Sequence, residues 1–449
     1  MRGGVLVPVD THTAAADNVI NTPSPLVGAS RAPRVPSLKP RTAAVYVSSL
    51  ACLAALLVLL VLQPYRIDLD VYRIGAQAWL DGEALYGQLP ATSAGLLLPF
   101  TYPPAAAVLF SPLALLPFWA ANAVATSASV AALVVLLALS LRRSRAWRAS
   151  AATVLVLVAA SLLAEPIQAT LGFGQVNLVL AALIALDVFA TRTWWPRGVL
   201  IGVAAAVKLT PAVFILALLV RRQYREVATA CIVFAGVTLL AWLIAPRDSE
   251  RYWTDVLWDP GRIGGASYAG NQSIHGLLLR VGLSGATERV LWLACAGLVA
   301  MLAWRGMKAA ERRGDVVLLL GLNGLVALLA SPISWTHHWV WLIPICLAMW
   351  SYGREDGARW RALASLGAAL MLVRPLWWLP RELDRELDWA LWQHIAGDAY
   401  VLLGLAILVV AALPDRRCAG CAVPYRVRRP ARRAVLAART YRHARPNEA

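Results

Sequence analysis

The chain has 449 residues, 59% of them hydrophobic and 15% charged, with a mean hydropathy of +0.61. A water-soluble domain of this length cannot hide so much apolar surface, so the composition excludes soluble enzymes and leaves a polytopic membrane protein. The formal charge of +17 comes almost wholly from arginine and follows from retention of basic residues on the cytoplasmic side of spans, so no nucleic-acid partner is expected.

Residues 1–42 mix Pro, Ser, Thr and Ala with Arg31, Arg34, Lys39 and Arg41 and show no apolar period, which predicts a disordered basic cytosolic tail. Residues 43–63 form the first span, too long for a removed signal peptide and without its small-residue cleavage site. With the basic flank inside, residues 64–99 face outward. Further spans are predicted near 101–118, 119–141, 150–164, 176–191, 198–219 and 227–245. A polar loop from Pro246 to His275 follows, then spans near 287–304, 316–330, 337–351, 361–373 and 395–413. The expected fold is therefore an all-α integral membrane bundle of about twelve spans over 43–413, with both termini cytoplasmic and outward loops forming the active site.

The second half obeys the charge rule: Arg305, Lys308, Arg312 and Arg313, then Arg354, Arg359 and Arg361, fall inside. In the first half this count leaves Arg142, Arg143, Arg145 and Arg148 outside, and either a misread span or a re-entrant segment at 150–191 would repair the parity. Residues 414–449 carry ten arginines and are predicted to lie on the anionic inner leaflet. Cys418 and Cys421 form a lone C-x-x-C, too little for a zinc site, and Cys52, Cys231, Cys295 and Cys346 sit in apolar runs as small hydrophobes.

Groups that carry chemistry gather in the outward segments. Asp68 and Asp70 lie a few residues past the membrane edge, where a carboxylate can take a proton from a substrate hydroxyl. They share a face if the segment is extended and not if it is helical. Tyr72 follows, and Tyr102-Pro103-Pro104 opens the next span, proline at a helix start stiffening the chain without losing a hydrogen bond. The loop at 246–275 carries Trp253, Trp258 and Arg262 and ends in Asn271-Gln272-Ser273-Ile274-His275, aromatic faces and amides of the kind that hold a sugar; an interfacial aromatic belt accounts for the tryptophans equally well. His337 and His338 stand at the outer end of another span; as sequence neighbours they point apart, so phosphate donation or a structural role suits them better than one shared metal. Lys208 lies within an apolar run, where an ionisable group faces an anion or a carboxylate such as Asp187. No acidic cluster, Walker lysine, H-E-x-x-H or nucleophile elbow is present, and neither a metal nor a cofactor is expected.

Several of these segments, in order, resemble one family. Asp68-Leu69-Asp70-Val71-Tyr72, Trp79-Leu80-Asp81-Gly82, Phe100-Thr101-Tyr102-Pro103-Pro104, Gly174-Gln175-x-Asn177, Lys208-Leu209-Thr210-Pro211, Asn271-Gln272-Ser273 and Ser331-Pro332 with His337-His338 look like the polyprenyl-phosphomannose-dependent mannosyltransferases of the GT-C class, glycosyltransferase family 87. The resemblance covers roughly residues 45–410 and leaves both tails outside it. It implies an inner-membrane enzyme with a periplasm-facing site that moves mannose from polyprenyl-phosphate-mannose to an envelope glycolipid of the phosphatidylinositol mannoside, lipomannan or lipoarabinomannan type, usually as an α-(1→2) bond. It places the catalytic carboxylate on Asp68, leaves Asp70 at a variable position, and associates His337 and His338 with the donor phosphate.

The chemistry agrees with the residues. A phosphate leaving group is already activated, so one base and donors for the phosphate suffice, with inversion at the anomeric carbon. The competing readings are a membrane transporter or lipid flippase, which calls for paired ionisable groups at mid-membrane and inverted repeats, and a transferase for another lipid-linked sugar.

Overall fold

The computed structural model describes residues 66–413 apart from 145, 146, 148 and 382, together with 43, 45–47, 49, 50, 53 and 54. The two tails and most of the expected first span lie outside the described residues. Among the described residues the structure is helical, without strands, and its one isolated β-bridge joins Asn271 to Trp335.

Helix α1, Ile67–Leu80, takes up the start of the outward segment, with Asp68 and Asp70 in its first turn where the helix dipole favours acids. After a loop, Pro103 caps and Pro104 begins α2, Pro104–Ala114, as the double proline predicted. Helix α3, Phe118–Arg143, is followed by α4, Ala151–Ser161, and α5, Glu165–Phe173. The last two meet at 76°, the geometry of a broken span or a re-entrant loop, within the region where the span count and the charge rule disagree. Then come α6, Asn177–Phe189, and α7, Val199–Val207. The expected span at 198–219 does not run through as one helix. It breaks at Lys208, whose backbone is extended, and resumes as a 3-10 turn at Thr210–Phe214 and α8, Ile215–Val220, because Pro211 cannot donate a backbone hydrogen bond.

Helix α9, Tyr224–Ile244, leads directly into α10, Pro246–Thr254, so the start of the expected polar loop is helical. Helices α11, Ile274–Arg280, α12, Gly285–Arg313, and α13, Val316–Ala330, come next. A 3-10 turn at Thr336–Trp341 opens α14, Leu342–Asp356, and α15, Ala358–Val373, follows. The last pair, α16, Leu391–Gly397, and α17, Ala399–Ala412, also meet at 76°.

Among the described residues three helices, α3, α9 and α12, are long and apolar enough to cross a bilayer, or up to five crossings if each bent pair counts as one. Other expected spans coincide with shorter apolar helices such as α2, α6 and α13; Pro117 lies past the end of α2 and Ser331-Pro332 past that of α13. Helix α12 packs on α13 and α17, α3 on α6, and α9 on α7. On α7, Gly202 lets α9 approach so closely that an added Cβ would stand 2.6 Å from the Ala230 carbonyl oxygen.

Candidate active site

The site begins where α1 meets the turn between α5 and α6. Gly174 ends α5 at φ +72°, and a Cβ there would lie 2.7 Å from the Leu69 Cβ, so only glycine lets this turn settle on α1. Arg66, fully buried just ahead of α1, donates to Asn122 Oδ1 and to the Leu171 carbonyl and so pins the start of α1 to α3 and α5.

Because residues 67–80 are helical, Asp68 and Asp70 lie roughly 200° apart around the axis. Asp68 is half-buried and hydrogen-bonds the Gln175 side chain. Burial raises its carboxyl to about 6, against partial opposition from the Gln175 hydrogen bond and the Lys208 charge. Asp70, expected beside the substrate, instead accepts from Ser93 N at 2.7 Å and Ser93 Oγ at 2.9 Å and anchors the loop at 81–99.

The Tyr72 hydroxyl donates to Gln175 Oε1 at 2.8 Å and lies 2.9 Å from the Tyr102 hydroxyl, which reaches the same Oε1 at 3.1 Å. Burial holds the Tyr72 phenol well above its ordinary range, so it stays a donor. The ring of Tyr102 carries Lys208 Nζ 5.3 Å from its centroid.

Lys208 does not meet Asp187. Its ammonium donates to Asn177 Oδ1 at 3.0 Å and lies 3.2 Å from His338 Nε2, while Asp187 takes hydrogen bonds from Trp195 Nε1, Gly198 N and Ile201 N at the far end of α6. The two histidines diverge as expected of neighbours. His338 joins Lys208, whereas the buried His337 packs edge-on to Phe173, its ring 4.6 Å from that of His338. The His337 carbonyl accepts from Thr170 Oγ1 and Asn177 Nδ2, which fixes the turn under the pair.

Beside Lys208 opens a small cavity of about 50 Å³. Asn177, Lys208, Thr210, Ser334 and His338 supply its polar atoms, and Leu180, Ile184, Phe214, Leu328, Val340 and Trp341 give it apolar walls. Among the described residues no three His, Cys, Asp or Glu side chains come together as a metal-holding set.

In the motif at 271–275 the polar side chains are engaged within the protein. Asn271 and Gln272 are fully buried, and their amides are taken up by the protein. Asn271 donates to the Ala266 and Pro332 carbonyls and accepts from Ser334 N; Gln272 donates to the Ala269 and Gly397 carbonyls and accepts from Tyr400 N. His275 stands 3.1 Å from the Pro332 carbonyl through Nδ1 and 3.0 Å from Glu288 through Nε2. These three residues, expected to touch substrate, therefore have no polar atom left to offer it. Arg262 donates to the Tyr86 carbonyl at 3.3 Å, tying the loop after α10 to the loop after α1. Gln175 and Asn177 stand in the Gly174-Gln175-x-Asn177 motif but are not among the residues the sequence points to at the site. Their signal was two amides flanking an apolar helix start, where an unpaired amide is costly.

The sequence profile of glycosyltransferase family 87 matches residues 100–332. The polyprenol-phosphate-mannose-dependent alpha-(1-2)-phosphatidylinositol mannoside mannosyltransferase of Mycobacterium tuberculosis is 40% identical over 365 residues, covering 78% of this chain and 85% of that protein. Its namesake in Mycolicibacterium smegmatis is 40% identical over 379 residues, covering 78% and 84%. Among solved structures, ArnT from Cupriavidus metallidurans bound to undecaprenyl phosphate aligns over 82% of this chain and 78% of that one, at 16% identity and a TM-score of 0.41. With the family profile spanning half of its length and such relatives covering more than three quarters of it, the chain belongs to glycosyltransferase family 87.

Proposed function

We propose that this membrane protein transfers mannose from polyprenol-phosphate-mannose to a phosphatidylinositol mannoside, forming an α-(1→2) bond. The observation that carries the reading is the opposition of a carboxyl and an ammonium across one tyrosine: Gln175 links Tyr102 to Asp68, and Lys208 lies over the same ring.

In this mechanism the Asp68 carboxylate accepts the proton of the acceptor hydroxyl as that oxygen bonds to the anomeric carbon. The bond from that carbon to the donor phosphate oxygen breaks, and its electron pair leaves with the polyprenyl phosphate, inverting a β-linked donor to an α product. Lys208 and His338 face the departing phosphate, and the buried His337 supports the turn that carries them. The apolar walls beside Lys208 suit an isoprenoid chain attached to that phosphate. Tyr72 and Tyr102 hydrogen-bond to each other and to Gln175, which in turn meets Asp68.

The same reading takes the fold as a GT-C bundle of about twelve crossings. It sits in the plasma membrane with α1 and the site on the periplasmic side and both termini in the cytoplasm. The transporter alternative loses its motif, because Lys208 pairs with Asn177 and His338 and not with a mid-membrane acid.

The test is purified protein with radiolabelled polyprenol-phosphate-mannose and a panel of glycolipid acceptors, followed by linkage analysis. A new α-(1→2) mannoside from the wild type, and none from a folded Asp68→Asn variant, is expected. Near-normal turnover in Asp68→Asn removes Asp68 as the base, and movement of label without a new glycosidic bond overturns the transferase reading.

A further inference from the structure

We infer that the turn Gly174-Gln175-Val176-Asn177 is a two-amide clamp, in which Gln175 positions the Asp68 carboxylate and Asn177 positions the Lys208 ammonium. The inference rests on reading Asp68 as the base and Lys208 as the phosphate-facing cation, and adds two positioning residues to that site.

Each amide has one end tied to a neutral partner, and that tie dictates what the other end presents. Gln175 is buried, and both tyrosine hydroxyls reach its Oε1, at 2.8 and 3.1 Å. The amide nitrogen is therefore the end left for Asp68, a donor facing an acceptor-only carboxylate. In Asn177 the polarity is reversed. Its Nδ2 is taken by the His337 carbonyl at 3.0 Å, so its Oδ1 is the end left for Lys208 Nζ, also at 3.0 Å. Two residues apart at the start of α6, the side chains thus show a donor to the anion and an acceptor to the cation.

A neutral clamp has a chemical purpose here. Direct pairing of Asp68 with Lys208 would depress the basicity of the carboxylate and occupy the cation that the phosphate needs. An amide orients a charge by hydrogen bonding and leaves it uncancelled. The charged and titratable groups facing Asp68 are Lys208 and the hydroxyls of Tyr72 and Tyr102, with Arg66 just ahead of it on the chain and His338 on Lys208 itself.

The two halves of the clamp separate kinetically. Gln175→Glu keeps the shape and an oxygen for the tyrosines but turns the donor facing Asp68 into a second carboxylate. In the full-length protein it is expected to move the acidic limb of kcat/KM upward by about one pH unit or more and to lower kcat at least about tenfold, with donor KM little changed. Gln175→Asn, which keeps the amide, recovers part of that loss. Asn177→Leu is expected to raise donor KM about tenfold and leave the acidic limb where it was. Infrared titration of the Asp68 carboxyl, assigned by subtraction of Asp68→Asn, reads the same shift in Gln175→Glu without needing turnover. An acidic limb and a carboxyl titration in Gln175→Glu that superpose on the wild type overturn the clamp while leaving Asp68 as the base. If Asp68→Asn still turns over, it is the base reading that fails.

Discussion

Lys208 Nζ lies 3.2 Å from His338 Nε2, and an ammonium, which can only donate, meets this ring nitrogen as an acceptor. This sets a division of labour in the pocket: Lys208 supplies the cation, and the histidine holds it in place. Lys208→Met is expected to lower kcat about 10²-fold and raise donor KM, as for loss of one preorganised donor to a developing anion. His338→Gln, which keeps an acceptor near the ammonium, retains more activity than Lys208→Met in the same initial-rate assay.

The carboxyl of Asp68 is raised to about 6 by burial, and only its ionised form accepts a proton. kcat/KM is therefore expected to rise about tenfold per pH unit below pH 6 and to level off above it. The stability sign runs the other way. A folded-state value above the unfolded one gives a contribution that is complete below pH 3.8 and lost as pH rises through about 6. Asp68→Asn should thus melt higher than the wild type at pH 7.5, with the gap closing below pH 5, a comparison that thermal unfolding across pH reads directly.

Asp70 holds the loop at 81–99 through Ser93. Asp70→Asn is expected to lose about 1 kcal/mol of stability while retaining most turnover. Limited proteolysis at residues 91–98 should accelerate in that variant, whereas Asp68→Asn is inactive and cleaved as slowly as the wild type.

Gly174→Ala places a methyl group against Leu69 in a left-handed backbone and is expected to cost about 1–2 kcal/mol from conformation alone. Since the same turn carries Gln175, kcat should fall with it, and growth of the loss with a Gly174→Val replacement is the check.

Arg280 is fully buried, donates to Asp398 and to the Ser267, Tyr268 and Asn271 carbonyls, and thereby ties the 265–271 loop to the start of α17. Arg280→Met leaves the Asp398 carboxylate with His394 alone and should cost about 3 kcal/mol, read as loss of folded protein on heating in detergent.

Much of this was legible from local pattern. The apolar windows fell on the helices because removing a segment from water depends on that segment's own side chains, whatever packs beside it. The double proline at 103–104 and the breaking sequence Lys208-Leu209-Thr210-Pro211 acted where they stand, since capping and loss of a backbone donor are one-residue effects. The surroundings of the motif at 271–275 were not legible for a reason of the same kind: amide and imidazole groups suit a sugar and a buried backbone equally, and their residue types do not say which surrounds them.

Composition and motif order by themselves determined that this is a helical membrane protein, and pointed to Asp68, Lys208 and the His337-His338 pair as candidates for its charged chemistry. Which groups meet was decided only by the tertiary structure. Asn177 and Asp187 stand ten residues apart on α6, about 15 Å along one axis, and either offered Lys208 an oxygen. The choice of Asn177 depends on the depth at which the break in α7 lies against α6, set by helix packing across the bundle and encoded in no window of the chain around Lys208.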